Sequence, residues 1–194
     1  PIICDINQHN LQISLDDIKR KISKKTKAII PVHFSGSVGD LNNIYSFAKK
    51  NNLKIIEDAA HAFGTIYKNK KIGSFGQIAC FSFDGIKNIT SGEGGCLVTN
   101  DNKIIKYSKD ARLLGVSNES SKRYLGHRSW ISDVTQQGWR YHMSDINASI
   151  GRVQLSRFKK FSKIRKNLCK LYDDKFKNHS IIKTFKRDYN DEVP

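Results

Sequence analysis

Acidic residues are scarce in this 194-residue sequence, with 18 Asp+Glu against 34 Lys+Arg and a formal net charge of +16. Such an excess can mark nucleic-acid or membrane partners. Its distribution argues against both. From Arg152 to Lys170 the basic residues alternate with apolar ones at helical spacing and no acid intervenes. That is the pattern of a solvated helix face, with attraction of an anionic substrate as a secondary benefit. No nucleic-acid or membrane partner is therefore expected. Cysteine is sparse too: Cys4, Cys80, Cys96 and Cys169 stand far apart, without a CxxC pair or a metal-ligand spacing. Buried free thiols in a reducing, cytoplasmic setting are the expectation. No apolar run approaches the roughly 18 residues of a membrane span, and no signal peptide is visible. Nucleotide loops of the G-x-G-x-x-G or G-x-x-x-x-G-K kind are missing, as is the Ser elbow of hydrolases. His9, His33, His127, His142 and His179 form no metal-binding spacing.

What is present is an alternation of short apolar runs and amphipathic stretches. Ile2 to Ile6 reads as a strand. Ser14 reads as the cap of a helix to about Lys25, with Asp16 and Asp17 in its first turn. Ala28 to Phe34 reads as a strand whose Pro31 suggests an irregular end. Asp40 should cap a helix to about Asn51 with Leu41, Ile44, Phe47 and Ala48 on one face. Strands follow at Leu53 to Glu57, Ile78 to Phe81 and Cys96 to Thr99. Asp101 should cap a helix to about Leu114, and Ser144 a long one through Ile146, Val153, Phe161 and Leu171. Apolar strands alternating with amphipathic helices indicate a mostly parallel α/β sheet with helices on its faces. Such sheets bind ligands beyond the carboxyl ends of their strands.

Candidate chemistry falls at those ends. Asp58 follows one strand, and Ser82 and Lys87 follow another. Asp58 could equally cap a helix, His61 could be a polar residue at a helix start, and Ser82 a plain strand-end hydroxyl. Lys87 could be one surface lysine among many, but it sits in a glycine-punctuated loop rather than on an amphipathic helix. Gly92-Glu93-Gly94-Gly95 reads as a tight turn into the Cys96 strand. A carboxylate, a hydroxyl and a lysine in this order match what pyridoxal phosphate requires: an acid for the ring nitrogen, donors for the phosphate, an amine for a Schiff base.

Several ordered motifs carry a resemblance across nearly the whole chain. They are Ile30-Pro31-Val32-His33-Phe34-Ser35-Gly36, Glu57-Asp58-Ala59-Ala60-His61-Ala62, Gly73-Ser74-Phe75-Gly76 with Phe81-Ser82-Phe83 and Lys87-Asn88, and Arg140-Tyr141-His142-Met143-Ser144-Asp145-Ile146-Asn147-Ala148. Together they resemble the sugar aminotransferases of the DegT/DnrJ/EryC1/StrS group, pyridoxal-phosphate enzymes of the aspartate aminotransferase fold (fold type I). The resemblance implies that Lys87 forms the Schiff base and shuttles the proton. It places Asp58 at the pyridinium nitrogen, His61 beside the ring and Ser82 at the phosphate. Arg140 stands where the family often has the Asn that reaches the phosphate of the neighbouring subunit's cofactor, and His142 stands where it has Arg. The implied reaction passes an amine, with L-glutamate as donor, to a keto group of a nucleotide-linked sugar in polysaccharide or glycoconjugate biosynthesis. The segment Thr90 to Gly95 is similar to members acting on 4-keto-6-deoxy sugars. A homodimer with shared sites is implied as well. Alternatives are a pyridoxamine-phosphate sugar dehydratase, whose relatives carry His in place of the lysine, and a non-catalytic relative.

By the same resemblance, residues 1–143 are part of the cofactor-binding large domain, without its N-terminal portion. Residues 144–194 are the interdomain helix and the start of a small C-terminal domain. The chain is expected to be an internal piece of a longer polypeptide that holds the cofactor poorly alone. Sugar contacts are sought in the polar loop Val116 to Gln137, with Arg123, Tyr124, His127, Arg128 and Trp130 as candidates.

Overall fold

The computed structural model describes residues 1–75, 77–116, 134 and 136–194. The loop candidates Arg123, Tyr124, His127, Arg128 and Trp130 lie outside them.

Helix α1 (Leu15–Lys21) begins where Ser14 Oγ accepts the Asp17 N–H at 3.3 Å. It ends earlier than the sequence suggests, with Ile22 already extended. Strand β1 is only Ala28–Ile29, because Pro31 has no N–H to offer a ladder. Pairing resumes irregularly beyond it: Asp58 N–H donates to the Pro31 carbonyl and His33 N–H to the Asp58 carbonyl, both at 2.9 Å. Helix α2 (Leu41–Lys50) buries Leu41, Ile44 and Ala48, with Phe47 half-buried. Asp40 precedes it without a side-chain capping bond; its carboxylate takes the Asn43 amide instead. Strand β2 (Lys54–Asp58) follows, then a small antiparallel pair, β3 (Ile66–Tyr67) and β4 (Lys70–Lys71). Strands β5 (Ile78–Ser82) and β6 (Gly95–Thr99) complete the main sheet. Helix α3 (Asn102–Ala111) is capped by Asp101, and α4 (Asp145–Phe176) by Ser144.

The main sheet has the order β1-β2-β5-β6. β1, β2 and β5 run parallel and β6 is antiparallel at the edge. The mixed, mostly parallel α/β sheet is therefore the one the strand pattern indicates. Ile18 of α1, Ile44 and Ala48 of α2, and Ile29, Leu53 and Ile55 form one core cluster. Burying each of the Ile and Leu side chains contributes about 1.5–3 kcal/mol. Val38, Leu41, Ala59, Ala62 and Ile72 form a second cluster beneath the turn that follows β2.

Three sequence expectations need correction. Ile2 to Ile6 is not a strand; only Ile6 bridges, to Ile13. None of the four cysteines is buried, and Cys96 is exposed on the edge strand β6. No helix follows Asp58: residues 60, 61, 63 and 64 are in turns, so the helix-cap reading of Asp58 and the helix-start reading of His61 both fail. Asp58 Oδ1 instead accepts the Ala60 N–H at 3.1 Å, an Asx turn that bends the chain off the strand end. Among the described residues, no helix is long and apolar enough to cross a membrane.

Candidate active site

The sheet brings Asp58 and Ser82 to one end. β2 and β5 are in parallel register with Asp58 opposite Cys80, so Asp58 ends one strand and Ser82 ends its neighbour. The Asx turn carries the chain from Asp58 to His61. The loop after β5 is folded back by three bonds: Lys87 N–H to the Asp84 carbonyl, Ser91 N–H to the Phe83 carbonyl, and Phe83 N–H to the Gly94 carbonyl. It delivers Lys87 to His61, with Nζ 3.1 Å from Nε2.

No carboxylate lies within salt-bridge distance of Lys87 among the described residues; its side-chain partner is an imidazole. Burial, and next the Lys87 charge, hold the His61 pKa below the ordinary histidine value, while Asp58 pulls the other way. His61 is thus favoured neutral beside the amine. Its ring is braced by Phe34, centroids 5.7 Å apart, and its Nδ1 receives the Ser35 N–H at 3.3 Å.

Asp58 keeps one oxygen available. Oδ1 serves the Asx turn, whereas Oδ2 accepts no hydrogen bond among the described residues. Ser82 Oγ accepts the Asp84 N–H at 3.4 Å, which leaves its own proton free to be donated. Free carboxylate, amine, imidazole and hydroxyl therefore stand around the carboxyl ends of two adjacent parallel strands. Arg140 lies elsewhere in the contact pattern. It bridges Leu113 after α3, is exposed, and its side chain makes no hydrogen bond or ion pair among the described residues.

Behind Asp58 lies a buried polar group. Glu57 Oε2 takes His33 Nε2 at 2.7 Å and Oε1 takes the Tyr45 hydroxyl at 2.6 Å. Burial and the Glu57 contact push the Tyr45 pKa far above its ordinary value, so the hydroxyl stays a donor. The group ties the end of β1, helix α2 and β2 together just before Asp58.

Residues that sequence reasoning missed hold the site from outside. Arg165 on α4 donates to the Lys87 carbonyl at 3.1 Å, and the Asn88 amide donates to the Val193 carbonyl at 2.9 Å. Arg187 donates twice to Ser35. The segment carrying Arg187 and Val193 crosses Gly36 so closely that a Cβ there would lie 2.0 Å from the Val193 carbonyl oxygen, and Gly36 has φ +80°. Glycine is required on both counts. Phe158 of α4 meets Phe63 edge-on, centroids 5.2 Å apart, across Gly64. Ser35 and Gly36 stand inside a motif already noted. Arg165 and Arg187 carry no signal that separates them from other arginines.

The chain matches the DegT/DnrJ/EryC1/StrS aminotransferase family over residues 1–193. It belongs to that family. Protein MJ1066 of Methanocaldococcus jannaschii is 41% identical to it over 178 residues, covering 92% of this chain and 46% of that protein. The GDP-perosamine synthase of Vibrio cholerae is 39% identical over 172 residues, covering 89% of this chain and 44% of the synthase. Among solved structures, Spr1654 from Streptococcus pneumoniae in its PLP form superposes with a TM-score of 0.78 at 30% identity, over 92% of this chain and 48% of that one. This member of the family thus has the fold of the solved sugar aminotransferases, fold type I of the pyridoxal-phosphate enzymes. The chain spans about half the length of the curated relatives it matches.

Proposed function

We infer that the protein is a pyridoxal-phosphate-dependent sugar aminotransferase whose reacting amine is Lys87. One observation carries the reading: Lys87 Nζ faces His61 Nε2 at 3.1 Å, without a carboxylate counter-ion among the described residues, at the strand end that also presents Asp58 and Ser82. Most lysines are paired with acids or solvated. An amine held against a largely neutral imidazole suits attack on a carbonyl carbon.

The residues fit the cofactor by the chemistry of their free groups. Asp58 Oδ2, which accepts no hydrogen bond among the described residues, would hold the proton on a pyridine nitrogen. The Ser82 hydroxyl, whose proton is uncommitted, would donate to a phosphate oxygen. His61 would stand beside the ring, and Lys87 would hold the cofactor covalently and then move the proton from the amino-acid Cα. Pyridoxal phosphate, when bound, supplies the electron sink that this proton removal needs. The acceptor is read as a keto group on a nucleotide-linked sugar, of the 4-keto-6-deoxy class, and the donor as L-glutamate. The similarity to GDP-perosamine synthase supports the sugar part of that reading.

A homodimer with shared sites belongs to the same proposal. Arg140, exposed and with no side-chain hydrogen bond or ion pair among the described residues, would contact the cofactor phosphate of the neighbouring subunit. α4 buries none of its residues, in keeping with residues 144–194 as a connection to a second domain.

The test is borohydride reduction of the intact protein with pyridoxal phosphate, followed by peptide mapping. A phosphopyridoxyl group on Lys87 is expected, and Lys87→Ala should lose it. A folded protein that binds the cofactor yet carries no label on Lys87 would sink the assignment.

A further inference from the structure

Ser35 is in a conformation that side-chain-bearing residues rarely adopt, with φ 55° and ψ 31°. Such conformations persist only when their surroundings over-determine them. Here the turn is closed by Gly36 N–H to the His33 carbonyl and Ser37 N–H to the Phe34 carbonyl, and one side chain grips Ser35 itself. Arg187 Nη1 donates to the Ser35 carbonyl at 2.8 Å and Nη2 to the Ser35 hydroxyl at 2.8 Å. A planar guanidinium makes two such bonds in a set direction, which an ammonium cannot do. With its carbonyl and hydroxyl committed to Arg187, Ser35 turns its N–H the other way, onto Nδ1 of His61 at 3.3 Å.

A ring nitrogen that accepts a hydrogen bond carries no proton, so the proton of the neutral imidazole resides on the other nitrogen. For His61 that is Nε2, the atom 3.1 Å from Lys87 Nζ. The ring then turns an N–H toward Lys87, which accepts it only as the neutral amine; a Lys87 ammonium would instead need Nε2 as the acceptor, so the Ser35 and Lys87 contacts compete for the tautomer. The segment that bears Arg187 also steadies the lysine side of the pair, through the bond from Asn88 to the Val193 carbonyl.

We propose that Arg187 is a positioning residue: by gripping Ser35 in its left-handed conformation it aims the Ser35 N–H at His61 and so sets which nitrogen of the ring beside Lys87 carries the proton. The meaning for catalysis rests on the reading of Lys87 as the reacting amine, but the structural effect does not. Arg187 makes no hydrogen bond to His61 or Lys87 among the described residues; its bonds go to Ser35.

Nitrogen NMR of the His61 ring in the cofactor-free, intact protein reads the tautomer directly. The expected wild-type result is a single form, protonated at Nε2. Arg187→Ala should shift it to a mixture of the two tautomers, and Arg187→Lys, which cannot make the paired contact, should give an intermediate shift. Lys166→Ala serves as the control. It removes a different tether of the same segment, from Lys166 Nζ to the Asn190 carbonyl at 3.0 Å, and should leave the His61 resonances in place. Should Arg187→Ala fail to fold, the Arg187→Lys and Lys166→Ala pair still decides. An Nδ1-protonated His61 in the wild type overturns the proposal. So do unchanged His61 resonances in Arg187→Lys, or equal shifts in Arg187→Lys and Lys166→Ala. Absence of the borohydride label from wild-type Lys87 would overturn the function while leaving these spectra untouched, so the two failures are distinguishable.

Discussion

At the scale of single residues, the site depends on groups that bind nothing themselves. Glu57 is the clearest case. Its carboxylate is buried with His33 on one oxygen and Tyr45 on the other, directly before Asp58. Removing it strands the buried His33 and the half-buried Tyr45 hydroxyl. Glu57→Ala is expected to cost roughly 2–4 kcal/mol of stability. Combining it with His33→Leu should cost less than the two changes added, because the second removes a group the first left unpaired. Urea unfolding of the single and double variants measures this, and strict additivity would mean that His33 and Glu57 are not coupled. Asp58 itself is legible from its place after an apolar strand. The helix it could have capped is absent because its carboxylate bends the chain into an Asx turn instead.

At the scale of elements, the caps are the most legible feature. Ser14, Asp101 and Ser144 each accept backbone N–H groups at the start of the helices they announce. These are interactions over two or three residues, so local sequence suffices to specify them. Asp40 announces α2 equally well but turns its side chain to Asn43. The apolar pattern of α2 treats Leu41 and Phe47 alike, yet Leu41 is wholly buried and Phe47 is not. Leu41 packs under Ala59 and Ala62, in the cluster beneath the turn that carries His61. Leu41→Ala is therefore expected to cost about 2–5 kcal/mol and Phe47→Ala clearly less. Thermal and urea unfolding would show it, and an equal loss at the two positions would contradict this packing. The strand edges are less legible: Pro31 cuts β1 to two residues, and the apolar run Ile2 to Ile6 finds no partner strand.

At the scale of the whole molecule, packing is uneven. β2 and β5 lie inside the sheet; β2 buries its alternate residues Ile55 and Glu57, and β5 buries Ala79. α4 spans Asp145 to Phe176 with no buried residue, and Ile146, Val153 and Leu168 are each about half exposed or more. It is held to the body by few contacts, among them Phe158 on Phe63 and Arg165 on the Lys87 carbonyl. Helices without tertiary burial are marginal in water. In this 194-residue chain by itself, amides of the C-terminal half of α4 should exchange hydrogen much faster than those of β2. Mass spectrometry of exchanged peptides tests it. Equal protection of the two would show that this face of α4 is covered, for instance by a second copy.

Sequence alone determined the alternation of strands and helices, the helix starts, and the strand ends at which Asp58 and Ser82 stand. Each of these follows from periodicity or from side chains a few residues apart. Tertiary structure decided which groups meet. His61 and Lys87 are 26 positions apart, and Ser35 and Arg187 are 152 apart. Nothing local distinguishes Arg165 or Arg187 from the many other basic residues of so cationic a chain. What selects them is the path of the backbone, which passes α4 over the Lys87 loop and lays the segment after it across Gly36, close enough for a guanidinium to hold Ser35 in place.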